Sequence, residues 1–303
     1  MALEAITVGR MARLKIGSNT HCFARIQNQT TREIVKNPDT ICGDIDFPVN
    51  RVRKGRKIVR ASLFIDFTPA QLTPLLPWLG VTDNTGGVYT LGATDALTEN
   101  TVMVDFGGAV HSWSSCVVLG WAFRGSKGGR PCQVQINIEG ADETDPGGSP
   151  FADAPLDIEK IFAFTDIATR QLDDASGTLT SRPIDRFLIQ VDNAVVSEWN
   201  SSITRTGAVI GPRQAIIATS VPYTSTHKDL YWTYRDSEGA VEAKIKLTNA
   251  DGSIEFFAPA AVPITKGPDV ISKADQIRTP VTLDLCRTDS TGTRVPPMTI
   301  TLT

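Results

Sequence analysis

Charged residues are the most prominent candidates for chemistry in this sequence, and the basic ones are concentrated in one run. Seven consecutive residues carry five positive charges: Arg51, Arg53, Lys54, Arg56 and Lys57. Gly55 interrupts the run, which predicts a loop or the tip of a hairpin. Binding to single-stranded nucleic acid would need aromatic residues between the basic ones, and none is present. The pattern therefore favours a solvated tip, or a charged contact with another protein chain, over nucleic acid.

The acidic counterpart of this run lies in residues 141–155, ADETDPGGSPFADAP. Its proline and glycine content predicts a linker. Solvation then explains Asp142, Glu143 and Asp145 better than acid–base catalysis does. If chains of this protein assemble, these carboxylates are the leading partners for the basic run of the next chain, since such pairs fix register more than they add affinity. We predict a subunit interface at these three acidic residues and the five basic ones.

The remaining chemically reactive residues do not form a catalytic pattern. The three histidines are far apart in the sequence and make no HxxxH pair, so their spacing does not predict a metal site: His21, His111 and His227. The five cysteines form no CxxC pair and are interpreted as reduced, mostly buried thiols: Cys22, Cys42, Cys116, Cys132 and Cys286.

One segment superficially resembles a phosphate-binding loop. Residues 120–127 read GWAFRGSK. A phosphate-binding loop needs Gly-Lys-Ser/Thr, so that the lysine reaches phosphate and the hydroxyl reaches magnesium. Here the order is Gly125-Ser126-Lys127, and two bulky aromatic residues lie where the cradle should be. We predict that the protein is not an enzyme and that it has no cofactor and no bound metal.

Composition and charge exclude several classes of protein. The chain has 303 residues, is 41% hydrophobic and has a formal net charge of −3. It is long enough for two domains with real cores, and it lacks the basic excess of a DNA-coating protein. No apolar run is long enough to cross a bilayer. The first residues place Glu4 before the basic ones and contain no long apolar core, so we expect no secretory signal and maturation in a cytoplasm.

A strand followed by a short helix is predicted between residues 57 and 80. Apolar residues alternate along the first part and place one face in a core: Val59, Ala61, Leu63 and Ile65. Thr68 is a good N-cap, with Pro69 at the first helical position. Leucines then recur at helical spacing up to Gly80, and two prolines inside the run keep the helix short. Leu75 and Leu76 are expected to be buried.

The strand–helix unit returns once, in residues 215–236. Tyr223-Thr224 corresponds to Phe67-Thr68, an offset of 156 residues, and the second helix is expected over residues 226–234. Each unit is followed by a strand that begins with a proline, over residues 131–138 and 280–285. We interpret the chain as two diverged copies of one module, residues 1–145 and 146–303, which meet in the linker. The alternative is one large β fold.

The layout of these segments resembles the major tail (tail tube) proteins of bacteriophages with long, non-contractile tails, in their duplicated two-module form. The resemblance rests on the leucine-rich helix of residues 69–79, the strand region 107–119, the hairpin 128–136 and the late segment 254–260. It implies a mainly β fold with two tandem tail-tube-like β-sandwich or half-barrel modules, each with a short flanking α-helix.

The resemblance also implies a function. Such proteins join edge to edge into rings, here trimers with pseudo-sixfold symmetry, and the rings stack into a tube through which DNA passes during genome ejection. The implied partners are further copies of the chain, a tape measure protein, tail terminator and tip proteins, and phage DNA bound without sequence specificity, with no membrane. The implied location is the virion, after assembly in the host cytoplasm. The slightly acidic composition suits a channel wall that repels DNA weakly.

A protein of another class is the alternative: a virion decoration or host- or carbohydrate-binding β-sandwich. That function needs exposed aromatic platforms. Three of the tryptophans, Trp78, Trp121 and Trp232, lie instead in apolar or helical runs.

Overall fold

The computed structural model describes residues 13–21, 23–35, 53–92, 97–106, 110–128, 130–146, 151, 159–173, 177–200, 202–224, 228–236, 239–265, 277–290 and 293–303. The described residues of the first half form eleven strands and one α-helix: β1 Arg13–Ile16, β2 Asn19–His21, β3 Arg25–Asn28, β4 Thr31–Val35, β5 Arg53–Asp66, α1 Pro69–Leu75, β6 Val81–Asp83, β7 Val88–Leu91, β8 Asn100–Asp105, β9 Val110–Ser126, β10 Gln133–Gly140 and β11 Asp142–Thr144.

The second half is built in the same way, and it begins with a short 3-10 helix, Phe164–Asp166. Twelve strands and one α-helix follow in the part of this half that the structure describes: β12 Ile167–Asp173, β13 Leu179–Ser181, β14 Arg186–Asp192, β15 Val196–Glu198, β16 Gly207–Val209, β17 Gln214–Pro222, α2 Lys228–Asp236, β18 Val241–Thr248, β19 Ser253–Thr265, β20 Arg278–Leu285, β21 Thr288–Ser290, β22 Thr293–Val295 and β23 Thr299–Leu302. The mainly β fold class is confirmed.

The strand–helix unit of the first half forms as its residues predict. The hydroxyl of Thr68 accepts a hydrogen bond from the Gln71 N–H at 3.2 Å, which caps the first turn of α1. Gly80 has a φ of +82°, a conformation that favours glycine, so the chain turns there into β6. Leu75 and Leu76 are 1% and 0% exposed, so their predicted burial is confirmed.

Eight strands form one continuous antiparallel sheet, which we call the main sheet. Its order is β3-β5-β10-β9-β14-β17-β20-β19. The first four strands come from the first half of the chain and the last four from the second half. The two halves therefore meet by direct strand pairing, between β9 and β14.

Both halves repeat one order of pairing. In the first half, consecutive partners are β2-β1-β8-β9-β10-β5-β3. In the second half they are β13-β12-β18-β19-β20-β17-β14. This repeated order supports a duplication, and the division at residue 145 stays a prediction. The two halves are joined by a second strand pairing, because β23 near the C-terminus pairs with β7 of the first half as well as with β19.

The offset of 156 residues describes the strands of the repeat but not its helix. Leu63 on β5 and Thr219 on β17 occupy equivalent places in the main sheet, as the offset requires. The second helix, α2, is described over Lys228–Asp236, which overlaps the predicted range 226–234, and residues 226 and 227 lie outside the described residues. The offset matched Leu76 with Trp232, yet Leu76 is buried and Trp232 is 46% exposed.

A single hydrophobic core joins the two halves beneath the main sheet. A row of aromatic rings crosses this core. The ring centre of Phe67 lies 5.6 Å from that of Phe162 and 5.1 Å from that of Phe123, and the ring centre of Phe123 lies 5.0 Å from that of Phe256 in the second half. The helix α1 lies on this core side, since its Leu72 and Leu75 belong to the core, and the indole of Trp121 donates a hydrogen bond to the carbonyl of Leu79 just after the helix at 2.9 Å. The opposite face of the main sheet is polar.

Two local predictions need correction. The basic run is not a loop tip, because residues 53–57 form the start of β5, and Arg51 lies outside the described residues. The register between β4 and β5 shifts beside Glu33, and Gly55 is one of the extra residues of this bulge, a common place for glycine in a strand. The predicted linker is likewise not irregular at its start, because Asp142–Thr144 forms β11 along β9.

Burial of His21 makes the stability of the fold depend on pH. His21 is 2% exposed, and within the described part of the chain neither ring nitrogen has a hydrogen-bond partner. Burial lowers the pKa of this imidazole from 6.5 to about 4. Between these values the unfolded chain binds a proton that the folded chain does not bind. The contribution of His21 to stability is therefore present above pH 6.5 and is lost as the pH falls towards 4.

We predict that His21→Leu reduces the loss of stability between pH 7 and pH 5. The lowered pKa of His21 reduces the free energy of unfolding by about 2 kcal/mol over this interval, since one unit of pKa corresponds to about 1.4 kcal/mol. Urea unfolding at the two pH values measures it for the parent and the variant. All other titrating groups are common to the two proteins and cancel in the comparison. An equal loss in both proteins would contradict the assignment to His21.

Candidate assembly and channel surfaces

The polar face of the main sheet is rich in side-chain amides. Residues paired across neighbouring strands share this face, so one row runs from Phe64 through Gln135 and Ala122 to Gln190. Six amide side chains lie on the face: Gln27, Gln133, Gln135, Asn137, Gln190 and Gln214. Such side chains hydrogen-bond but carry no charge, so they do not attract phosphate by releasing counterions.

Hydrogen bonds connect several of these side chains. The Ser62 hydroxyl donates to Asn137 Oδ1 at 2.8 Å, and Gln135 Nε2 donates to the same oxygen at 3.0 Å. Arg124 Nη2 donates to Gln135 Oε1 at 2.7 Å. Because donors and acceptors satisfy one another across β5, β10 and β9, the surface is held in one arrangement.

Charges of both signs lie on the polar face, so it does not have a uniformly acidic surface. Glu139 is 1% exposed and accepts a hydrogen bond from Arg60 Nε at 2.9 Å. Near the other end of the strands, the guanidinium carbons of Arg25 and Arg124 lie 4.1 and 5.0 Å from the centre of the Phe64 ring. Burial, and then the charge of Arg25, lower the pKa of Arg124.

A polar cleft of about 440 Å³ lies on this face where the two halves join. Its lining includes Arg60, Ser62, Asn137 and Gln190. The lining hydroxyl of Ser62 donates to Asn137, and the lining carboxylate of Asp192 accepts from the Ala194 N–H, so the two are not paired as nucleophile and base. Among the described residues, no three His, Cys, Asp or Glu side chains are grouped closely enough to hold a metal ion. Residues 120–126, which superficially resembled a phosphate loop, belong to β9 and pair with β14.

The structure brings some of the predicted interface residues together within one chain. Lys57 Nζ lies 2.7 Å from Asp142 Oδ1 and donates to the Glu143 carbonyl at 2.7 Å. The hydrogen bond from Lys57 lowers the pKa of Asp142. Arg56 lies 5.3 Å from the ring of Trp199. Asp142 thus has a basic partner in its own chain, where we had expected one from a neighbour.

Glu143 is the centre of a second group of contacts. Its Oε1 atom accepts hydrogen bonds from Asn28 at 3.1 Å and Trp113 at 3.0 Å, and lies 3.1 Å from His111 Nδ1. Burial raises the pKa of this carboxyl, but the hydrogen bonds outweigh it and the net shift is downward. These contacts tie β11 to β3 and β9. The backbones of Arg53 and Lys54 pair with Val35 and Ile34 of β4, and Asp145 follows β11.

Comparison with known families decides what kind of protein this is. The family described as phage tail tube protein matches residues 49–285. The chain belongs to the phage tail tube protein family. The match covers most of the main sheet, from β5 to β20, and confirms the resemblance to tail tube proteins, whereas the duplicated form and the long, non-contractile tail stay predictions. A search of curated proteins found no match.

Membership of the tail tube family defines the general role of the chain. It is a structural component of the phage virion, from a family of structural proteins and not of enzymes. Within the described ranges, no helix is long and apolar enough to span a membrane. The important features of a tail tube protein are then its surfaces, namely the polar face and the edges of the main sheet.

Sequence reasoning missed the two ends of the main sheet. The described residues of β3 pair only with β5, and the last residues of β19 pair only with β20. Two signals mark the β19 end. Pro263 lies inside a strand, which is tolerated mainly at an edge. Val262 and Ile264 are 43% and 47% exposed, unusually open for β-branched apolar residues in a strand.

Proposed function

We propose that copies of this tail tube protein join edge to edge into rings, and that the rings stack into the tube of a long, non-contractile phage tail. The observation that carries the proposal is the main sheet itself. It is continuous across both halves, has one polar face, and ends at β3 and at the last residues of β19, where other described residues do not pair with the outer edge. Unpaired edges invite further strands, so association of copies satisfies them.

The polar face is proposed to line the channel through which DNA passes during genome ejection. Its opposite side is the apolar core, so the amide-rich face is the side that the main sheet can present to water and DNA. The amides carry no charge and Arg60 is paired with Glu139, so positive charge on this wall is concentrated near one end of the strands, at Arg25 and Arg124. DNA then moves past without sequence-specific contacts.

The two-module organisation, residues 1–145 and 146–303, is proposed to give trimeric rings with pseudo-sixfold symmetry. Each chain supplies two groups of four strands in the same order, so a ring of three chains contains six. The further partners are a tape measure protein within the tube and terminator and tip proteins at its ends. Assembly is proposed to take place in the host cytoplasm.

The eight charged residues predicted from the sequence are proposed to border a contact between chains. Glu143 hydrogen-bonds Asn28 on β3, one of the two open ends of the main sheet, and Lys57 holds the adjoining Asp142. This corner therefore adjoins the edge at which another chain would pair. Salt weakens exposed charge pairs, so assembly through this corner becomes weaker as ionic strength rises.

Negative-stain electron microscopy of the purified full chain tests the proposal. We expect rings and stacked tubes with a central channel, three chains per ring by mass measurement, and shorter tubes at high salt. Protein that remains monomeric at every concentration and salt tested would overturn the proposal. Monomers that bind glycans would instead support a decoration or host-binding protein.

A further inference from the structure

The junction between the two halves is a strand pairing whose register is fixed. Strand β14 runs antiparallel to β9, with Val191 opposite Trp121 and Asp192 opposite Gly120. The N–H of Asn193 donates to the Leu119 carbonyl at 2.9 Å and extends the pairing by one bond. Within one chain, the first half is thus joined to the second half through β9, its last strand in the main sheet, and β14, the first strand of the second half.

The strands at the two ends of the main sheet are the equivalents of those at the junction. Strand β3 has the place in the first half that β14 has in the second, and β19 has the place of β9. A row of paired residues fixes the correspondence: Ile26-Leu63-Ile136-Trp121 in the first half and Phe187-Thr219-Val281-Thr265 in the second. Thr265 therefore corresponds to Trp121, and Ile26 to Phe187.

The correspondence predicts the register of a contact between two copies. At the junction, Trp121 lies opposite Val191, four residues after Phe187. Four residues after Ile26 is Thr30, so Thr30 of one copy lies opposite Thr265 of the next. The next pair follows in the same way. Thr31 of one copy lies opposite Ile264 of the next, just as Asp192 lies opposite Gly120 at the junction within one chain.

The hydrogen-bonding groups of both edges point in the required directions. The Gln29 N–H donates to the carbonyl of Arg60 on β5. Because backbone groups alternate in direction along a strand, the N–H and C=O groups of Thr30 and Arg32 point away from β5. The Cys286 N–H donates to Ala260, so the groups of Pro263 and Thr265 point away from β20.

Pro263 has no N–H, so its pair with Arg32 contains one backbone hydrogen bond instead of two, through the Pro263 carbonyl. That carbonyl accepts from Arg32, as the Leu119 carbonyl accepts from Asn193. In the single chain the Thr30 N–H donates to the side chain of Asn28 at 2.9 Å. This bond satisfies the Thr30 N–H at the open edge until the backbone of a second copy accepts from it instead.

We infer that copies of the chain join by pairing residues 30–32 of one copy with residues 263–265 of the next, antiparallel and with Thr30 opposite Thr265. The contact reproduces the junction of β14 with β9 and covers the exposed side chain of Ile264. This inference rests on the proposed assembly of the protein into rings, and it specifies the partner strand and register of that assembly.

Disulfide cross-linking of assembled protein tests the register. Thr31 and Ile264 would form a pair that exchanges no backbone hydrogen bonds, a geometry that brings side chains close. We expect the double variant Thr31→Cys with Ile264→Cys, oxidised after assembly, to give a ladder of covalent oligomers on a non-reducing gel. The ladder should end at the number of chains in one ring.

Three controls isolate the contact. A mixture of the Thr31→Cys and Ile264→Cys single variants gives dimers and no longer products, because each chain then carries one engineered thiol. Gln27→Cys with Ile264→Cys places the thiols four residues out of register, about 13 Å along the strand, and gives no ladder. Gln190→Cys with Ala122→Cys copies the geometry at the internal junction and gives a disulfide within one chain.

The outcomes separate this inference from the proposed function. Tubes visible by microscopy in the reduced double variant, with no ladder after oxidation, would overturn the register and leave the tube function standing. A ladder from the out-of-register pair would also overturn it. Absence of rings and tubes from the unmodified protein would overturn the proposed function, and the inference with it.

Discussion

Leu76→Asp is expected to prevent the subunit from folding. Leu76 is 0% exposed and lies at the end of α1 against the main core. Removing a buried leucine side chain costs about 2–5 kcal/mol, and an unpaired buried charge adds several more. The sum approaches the total stability of an ordinary domain, about 5–15 kcal/mol. Expression should yield insoluble protein, or soluble protein without a cooperative unfolding transition.

Thr73→Asp is the matched control for this prediction. Thr73 lies in the same helix but is exposed, and its hydroxyl donates to the Pro69 carbonyl within the helix at 3.1 Å and also contacts the Tyr89 side chain. The same charge therefore remains in water, and the stability should change by less than about 1 kcal/mol. Circular dichroism during thermal unfolding compares the two variants. A soluble, cooperatively folded Leu76→Asp protein as stable as the parent would show that this helix face is not essential to the core.

Lysines on the polar face are expected to convert a channel that releases DNA into one that retains it. Gln190 and Gln214 are exposed and lie on β14 and β17. Gln190→Lys with Gln214→Lys adds two positive charges per chain, repeated around every ring. Each new phosphate contact releases counterions, so retention should rise at least tenfold at low salt and fall steeply as salt is added.

Nuclease treatment of tubes assembled with linear double-stranded DNA measures this retention. DNA held in the channel is protected, whereas DNA on the outside of the tube is digested. Gln190→Glu with Gln214→Glu is the control, with the same positions and the opposite charge, and it should protect no more DNA than the parent. If the lysine tubes bind DNA that remains fully sensitive to nuclease, the polar face lies on the outside of the tube.

The sequence predicted features that depend on neighbouring residues in the chain. Alternation of apolar residues identified β5 and the face it buries, and Thr68 with Pro69 located the start of α1. The order of such segments was enough to indicate the tail tube family, which the match to residues 49–285 confirmed. These features are local because backbone geometry fixes side-chain direction within a strand or a helical turn.

The same reasoning was wrong where a distant strand decides the local structure. Gly55 indicated a loop tip, but pairing with β4 places it in a bulge of β5. The acidic segment indicated a linker, but β9 pairs with Asp142–Thr144, and Lys57 and His111 bind its carboxylates.

Only the tertiary structure determined which strands lie side by side. The junction between the halves joins β9 to β14, and Asn193 Nδ2 donates there to the Val118 carbonyl at 2.9 Å, across 75 residues of sequence. A strand's own residues specify which face is buried but not which neighbour it pairs with, because every backbone offers the same donors and acceptors. The shared core selects the neighbour, so the polar face and the two open edges became visible only after the chain had folded.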